Sequence, residues 1–229
     1  MFDGRFRAPV ERAVRPIGDG LGRTGLTPDH LTLIGLVLAV AAAVVIATGG
    51  LRGGLLLVIL AALPDLLDGA LAKASDNASQ RGAFFDSVAD RVTDMLLLGG
   101  VAWYVASEYG SHAALLPFAV MGLSALISYE RAKAESLGLE AKGGLMERAE
   151  RVVLLCIGLL FDSLLVPILW LMLVLTAVTA LQRFVKVWNA AVAPPVVLER
   201  KAARRSRRFA RRTARAHRRT QLRRRRPHS

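Results

Sequence analysis

The sequence predicts an all-α, polytopic membrane protein with six transmembrane helices, preceded by an interfacial amphipathic helix. Hydrophobic residues make up 53% of its 229 residues, and its mean hydropathy is +0.40, which is apolar for a soluble domain. Residues 31–49 carry no charge. At about 1.5 Å per residue, a helix of this length nearly spans a hydrocarbon core of about 30 Å.

Apolar runs mark the helices in chain order. The candidate spans are residues 31–49, 53–72, 84–106, 113–134, 149–163 and 165–188. Thr27 and Pro28 suit the start of the first span, since threonine caps helices and proline is favoured in their first turn. The preceding stretch FRAPVERAVRPIGDGLGRTG interleaves apolar residues with arginine, which is typical of a helix lying on a membrane surface. A disordered leader is the alternative.

The charges of the connections predict the orientation of the spans. Basic residues are numerous before the first span, present after the second, numerous after the fourth and numerous at the C-terminus, whereas the connections SEYGSHAA and FDSLL contain none. The connection after the first span has only Arg52. This alternation favours six spans with both termini in the cytoplasm of a cell-membrane protein.

The positive charge is concentrated in the C-terminal tail. Residues 200–229 hold 15 of the 31 Lys and Arg and no acidic residue, which leaves 16 basic and 18 acidic residues in the rest of the chain. We therefore expect three parts: a juxtamembrane segment at 1–26, a six-helix domain at 27–190, and a disordered tail at 191–229. Attraction of the tail to anionic lipid, at about 1 kcal/mol per basic residue, is favoured over binding to nucleic acid. Because Cys156 is the only cysteine, no intrachain disulfide is expected.

Two aspartate pairs lie at the ends of the second and third candidate spans. Asp65 and Asp68 are three residues apart, and Asp86 and Asp90 are four apart, so on helices each pair occupies one face. Two helices joined by a short loop can aim four carboxylates at one point. Because a charge at membrane depth costs at least a few kcal/mol, a divalent cation with hard oxygen ligands is indicated: Mg²⁺, Mn²⁺ or Ca²⁺. Mg²⁺ usually also ligates substrate phosphates, which indicates a phosphate-bearing substrate.

Small residues accompany the aspartates. Gly69 follows Asp68, and Gly82 precedes Asp86 by four residues. A glycine inside a helix costs about 1 kcal/mol relative to alanine, which favours a role in admitting a ligand close to the backbone. The alternative is that the aspartates cap helix ends or pair with Arg81 or Arg91. That reading suits one pair better than two pairs flanked by glycines.

The complete pattern D-x-x-D-G-x-x-A-x₉-G-x-x-x-D-x-x-x-D resembles the signature of the CDP-alcohol phosphotransferases. The matching residues are Asp65, Asp68, Gly69, Ala72, Gly82, Asp86 and Asp90. Lys73 stands where that family usually has arginine, and lysine cannot form a bidentate fork with phosphate. We therefore expect the exchange to affect binding of the diphosphate rather than the reaction class.

The resemblance implies a homodimeric six-helix enzyme that moves a substituted phosphate from a CDP-linked lipid to an alcohol and releases CMP. It implies that Asp65, Asp68, Asp86 and Asp90 bind Mg²⁺, with Mn²⁺ as the alternative. Asp90 would also deprotonate the acceptor hydroxyl as general base. Contacts to CDP-diacylglycerol are implied for Asp29, His30, Leu31, Thr32, Gly69, Lys73 and Ser79.

A second basic cluster bears on the acceptor alcohol. Arg131, Arg151 and Arg183 come from three different helices at one expected membrane face, and arginine suits bidentate phosphate binding. From charge alone, ordinary cytoplasmic flanks explain them at least equally well. The segment SYERAKAESLGLEAKGGLMERAER and the later QR resemble the actinobacterial phosphatidylinositol phosphate synthases. That resemblance implies that the three arginines hold the phosphate of inositol 1-phosphate.

Two other functions stay open. Glycerol 3-phosphate as acceptor, giving phosphatidylglycerophosphate, also needs a phosphate pocket. A non-enzymatic membrane protein, either an ion path or a nucleic-acid tether, is the alternative from another class. An ion path is expected to place carboxylates near the bilayer middle on several helices, whereas these four cluster at one face on two consecutive helices. The pattern therefore favours the enzyme.

Overall fold

A computed structural model describes residues 28–75, 79–141 and 143–192, with the side chains of Pro28 and residues 64–75 left out. Within these ranges the secondary structure is helical, as predicted. The helices are α1 (Pro28–Ala47), α2 (Leu51–Ser75), α3 (Gln80–Tyr109), α4 (Leu115–Ser136), α5 (Arg148–Leu160) and α6 (Asp162–Ala191). A short 3₁₀ turn, Ser111–Ala114, precedes α4. The expected N-terminal amphipathic helix and basic tail lie outside the described residues.

Each candidate span lies mainly on one helix, but the boundary between the last two spans differs from the prediction. The chain leaves α5 at Phe161, which has extended backbone angles, and α6 begins at Asp162. The predicted span 149–163 therefore runs past the end of α5 and into α6. The extended backbone at Phe161 separates α5 from α6 within one apolar run, and composition alone does not show where such a run is interrupted.

Three stretches of the described chain are long and apolar enough to cross a membrane: Asp29–Ala47, Ser111–Ser136 and Asp162–Ala191. In α2 the apolar stretch Leu51–Leu63 is shorter, α3 carries charged residues in its first half, and α5 has 13 residues. Many large apolar side chains on the helices are exposed, including those of Val37, Trp103 and Trp170. Extensive exposed apolar surface is a property of membrane proteins.

The chain divides into two compact units between Phe184 and Val185. In the first, α1 packs on α2 and α3, α3 packs on α4, and α2 packs on α5. Its core draws buried apolar residues from all six helices, among them Ile46, Val101 and Leu169. In the second unit, the described residues comprise the end of α6 and Val192.

At Gly100, α3 approaches the backbone of α1 closely. A Cβ atom at this position would lie 2.5 Å from the carbonyl oxygen of Ala43 and 2.8 Å from its Cα. These are backbone atoms, so no side-chain rotation relieves the overlap. Gly100 therefore sets how closely α3, which carries Asp86 and Asp90, approaches α1.

We expect Gly100→Ala to lower the midpoint of thermal unfolding in detergent, since overpacking of this kind costs about 1–3 kcal/mol. Gly99→Ala is the matched control, because a Cβ there meets no atom within 4 Å. It should leave the midpoint unchanged or raise it through helix propensity. Equal midpoints for the two variants would contradict the close contact.

Candidate active site

The two aspartate pairs lie on helices, as their spacing predicts. Asp65 and Asp68 belong to α2, and Asp86 and Asp90 belong to α3. Helical geometry therefore places each pair on one face, one turn apart. The side chains of the α2 pair lie outside the described residues. On α3, Asp86 and Asp90 are both partly buried, so their carboxylates are partly shielded from solvent.

The beginnings of α1 and α3 meet around Gly82. Ser79 caps α3, and its Oγ accepts a hydrogen bond of 2.9 Å from the Gly82 backbone N–H. A Cβ atom at position 82 would lie 3.1 Å from Ser79 Oγ and 3.4 Å from Asp29 Oδ1. The structure thus brings together Asp29 and Ser79, two of the predicted CDP contacts, and any larger side chain at Gly82 would fill the space between them.

The other predicted CDP contacts have different surroundings. In the first turn of α1, His30 is exposed, whereas Leu31 and Thr32 are buried. Gly69 and Lys73 lie on α2, beyond the point where side chains are described. The expectation for these residues therefore rests on their position in the chain.

Asp90 belongs to a network of ion pairs that joins α3 to α5. Arg148 Nη1 lies 2.6 Å from Asp90 Oδ1, and Arg148 Nε lies 3.5 Å from Asp94 Oδ1. Arg151 Nη2 donates to Asp94 Oδ2 at 2.9 Å. Arg91 Nη2 is 3.6 Å from Asp90 Oδ2. We call these four contacts the α3–α5 ion-pair network. It holds the Asp90 carboxylate in place through Arg148 and Arg91.

The sequence reasoning missed Arg148 as a neighbour of Asp90. A signal was present, because Asp90 and Asp94 are four residues apart on α3 while Arg148 and Arg151 are three apart on α5. Two helices that present opposite charges at one-turn spacing are electrostatically complementary. Such a pattern does not reveal by itself which helices are neighbours in space.

A divalent cation fits the chemistry of the α3 pair. Asp86 and Asp90 offer hard carboxylate oxygens on one helix face, which are ligands that Mg²⁺ and Mn²⁺ accept. Among the residues whose side chains are described, no group of three or more His, Cys, Asp or Glu is placed to hold a metal ion. The side chains of the α2 pair, Asp65 and Asp68, lie outside the residues to which this finding applies.

The three predicted acceptor arginines belong to one electrostatic region. Arg131 and Arg151 both lie close enough to act on the charge of Arg183. Arg131 is exposed and pairs with Glu135 at 3.1 Å, whereas Arg151 and Arg183 are only 6% and 4% exposed. The three side chains therefore differ in mobility. The exposed Arg131 side chain can move toward a ligand, whereas those of Arg151 and Arg183 are fixed by protein partners.

Arg183 ties α6 to the middle of α4 and to the segment before α5. Its Nη1 donates to the Ile127 carbonyl at 2.8 Å, and its Nη2 donates to the Gly143 carbonyl at 3.2 Å. Nη2 also lies 3.8 Å from Glu147 Oε1. These contacts fix the guanidinium at the boundary of the region that Arg131 and Arg151 share.

Comparison with known proteins shows the class to which this site belongs. The family model described as CDP-alcohol phosphatidyltransferase matches residues 25–188, and the chain belongs to this family. The phosphatidylinositol phosphate synthase of Mycobacterium marinum is 35% identical over 84% of this chain and 86% of its own length. The archaetidylinositol phosphate synthase of Methanothermobacter thermautotrophicus is 35% identical over 81% of this chain and 93% of its own.

Solved structures agree with the family assignment. The crystal structure of Mycobacterium tuberculosis phosphatidylinositol phosphate synthase with CDP-DAG bound has a TM-score of 0.74 at 32% identity, over 80% of this chain and 98% of that one. The same enzyme in complex with manganese and citrate also gives 0.74 at 32% identity, over 79% and 92% of the two chains. The predicted family and its closeness to these synthases are therefore confirmed.

We expect Asp94→Asn to destabilise the protein by about 3 kcal/mol, because it leaves Arg151 buried without its charged partner. Glu135→Gln removes a carboxylate from the exposed Arg131 pair, whose two side chains are each 50% exposed, and should cost no more than about 1 kcal/mol. Unfolding midpoints of the two variants in detergent test the difference. Similar losses would contradict a structural role for Asp94.

Proposed function

We propose that this protein transfers a phosphatidyl group from CDP-diacylglycerol to 1D-myo-inositol phosphate, releasing CMP and forming phosphatidylinositol phosphate. The observation that carries the proposal is that Asp90 and Asp94 on α3 pair with Arg148 and Arg151 at the start of α5, and that Arg183 lies 3.8 Å from Glu147, which directly precedes Arg148. Asp90, the proposed metal ligand and general base, is thereby connected to the arginines proposed to bind the acceptor phosphate. Names and bound ligands of the relatives support the same donor and acceptor.

Each group has a role in this reaction. Asp65, Asp68, Asp86 and Asp90 would hold Mg²⁺ or Mn²⁺, which neutralises the diphosphate when bound. Asp90 accepts the proton of the attacking hydroxyl. The contact at 2.6 Å with Arg148 orients the carboxylate.

The contacts of the donor and of the acceptor are assigned to different residues. Asp29, His30, Leu31, Thr32, Gly69, Lys73 and Ser79 are the proposed contacts for CDP-diacylglycerol. Asp29 Oδ1 and Ser79 Oγ both approach Gly82. This supports a narrow site in which a ligand can lie close to the backbone. The acceptor phosphate is assigned to Arg131, Arg151 and Arg183.

Glycerol 3-phosphate is the second candidate acceptor, since the same arginines would hold its phosphate. The ion path and the nucleic-acid tether are not favoured, because the family assignment points to an enzyme.

For the membrane arrangement, we propose a six-span homodimer in the cell membrane with both termini and the active site in the cytoplasm. The alternation of basic and non-basic connections supports the orientation. The division at 1–26, 27–190 and 191–229, and binding of the basic tail to anionic lipid, remain part of this proposal.

CMP release by purified protein tests the reaction. With CDP-diacylglycerol, inositol 1-phosphate and Mg²⁺ or Mn²⁺, we expect turnover that EDTA abolishes and added metal restores. Asp90→Asn should lower kcat by about 10²–10⁴-fold through loss of the base. Asp162→Asn is the matched control, because Asp162 accepts its hydrogen bond from Tyr104 at 3.0 Å in the first turn of α6. Turnover only with glycerol 3-phosphate would overturn the acceptor assignment.

The acceptor arginines make a separate prediction. Arg131→Gln should raise the KM for inositol 1-phosphate about tenfold or more and change kcat little, since it removes a charge-assisted contact to the phosphate. Lys133→Gln, at another exposed basic position on α4, should leave this KM within about twofold. An equal rise in the two variants would show that general positive charge, not the Arg131 position, attracts the acceptor.

A further inference from the structure

A cavity of about 390 Å³ lies between the turn that joins α1 to α2, the last turns of α3, and the junction of α5 with α6. Its volume is within the range of about 300–1,000 Å³ that small-ligand sites occupy. Tyr104, which lines the cavity, follows Asp90 by 14 residues on α3, a distance of about 21 Å along the helix axis. The cavity is therefore separate from the candidate active site and lies toward the other end of α3.

The wall formed by the α1–α2 turn is made of backbone at Gly49. This residue has a φ of +88°, which glycine adopts without strain, and a Cβ atom on it would lie 3.9 Å from Tyr104 Cε2. Across the cavity, the Tyr104 hydroxyl donates a hydrogen bond of 3.0 Å to Asp162 Oδ1. Since a carboxylate accepts several hydrogen bonds, Asp162 keeps the capacity to accept from a further donor.

The cavity is lined by one cation and one anion, Arg52 and Asp162. In the part of the chain that the structure describes, no ion pair joins these two exposed side chains to each other. A purely anionic ligand would be attracted by Arg52 and repelled by Asp162, and a purely cationic ligand would meet the reverse. The two charges are therefore complementary to a zwitterion that carries an anionic group and a hydrogen-bond-donating ammonium group.

The surroundings of the cavity indicate that this zwitterion is the head group of a lipid. Leu160 lines the cavity and is 47% exposed, and Trp103, which precedes Tyr104 on α3, is 69% exposed. Tryptophan and tyrosine are enriched where a membrane meets water, and the exposed leucine offers apolar surface to an acyl chain. A small soluble zwitterion has no apolar part to cover Leu160.

We propose that this cavity binds one phospholipid whose head group carries a phosphate and a primary ammonium, as in phosphatidylethanolamine. Arg52 binds the phosphate, for which its guanidinium is suited, and Asp162 accepts from the ammonium. Because Arg52 lies on α2, Tyr104 on α3 and Asp162 on α6, the bound head group holds these three helices together. The site is independent of the proposed reaction.

The test is a titration of full-length protein in detergent with phosphatidylethanolamine, followed by the midpoint of thermal unfolding. At a lipid concentration of about 100 times Kd, the wild-type midpoint should rise by about 5 °C or more. Arg52→Gln and Asp162→Asn should each raise the Kd about tenfold or more, since each removes one charged partner of the head group. Shifts are compared with the lipid-free midpoint of the same variant.

Lys133→Gln and Glu108→Gln are the matched controls, because they remove one positive and one negative charge at exposed positions outside the cavity. Each should leave the Kd within about twofold of the wild-type value. Tyr104→Phe separates binding from structure. It removes the hydrogen bond to Asp162 but no charge, so it should lower the lipid-free midpoint and keep most of the lipid-dependent rise.

Three lipid analogues identify the group that is bound. Phosphatidylglycerol has no ammonium, phosphatidylcholine has an ammonium without N–H donors, and glycerophosphoethanolamine has no acyl chains, so none should give a rise that Arg52→Gln and Asp162→Asn both abolish. Such a rise with glycerophosphoethanolamine would overturn the lipid assignment, and one with phosphatidylglycerol would overturn the zwitterion. Equal Kd values for phosphatidylethanolamine in the wild type and the two cavity variants would overturn the site. Because CMP release is not the readout, failure of the proposed reaction would leave this result unaffected.

Discussion

The α3–α5 ion-pair network is the constraint on which the site depends. It fixes α5 against the helix that carries Asp86 and Asp90, because Arg148 and Arg151 must reach Asp90 and Asp94 at the same time. Charges in partly buried surroundings tolerate little displacement, since the loss of one partner leaves the other desolvated. The network thus couples the position of Asp90, the proposed base, to the position of α5, which begins beside the proposed acceptor region.

Much of this arrangement follows from local sequence patterns. Apolar run length located all six helices, and the spacing of the aspartates assigned each pair to one helix face. These features depend on residues within a few positions of each other, where helix geometry alone decides which side chains are neighbours.

The remainder required contacts between distant segments. Nothing local in the sequence shows that Gly100 meets Ala43, or that Arg183 donates to the carbonyls of Ile127 and Gly143. The beginning of α5 is also unusual, because the Glu147 N–H is capped by the Glu150 side chain at 3.1 Å, without a serine or threonine at the cap. Six-helix packing with tight glycine contacts is a property of the whole fold, so periodicity cannot supply it.

In the proposed six-span arrangement, the length of α5 has a consequence for the lipid around the protein. Its 13 residues extend about 20 Å at 1.5 Å per residue, about 10 Å less than a typical hydrocarbon core. Lipids beside a short helix accommodate it by local thinning of the bilayer. In that arrangement, thinning would bring the aqueous phase toward the end of α5 at Arg148, so that a water-soluble acceptor and a membrane-anchored donor could meet at one depth.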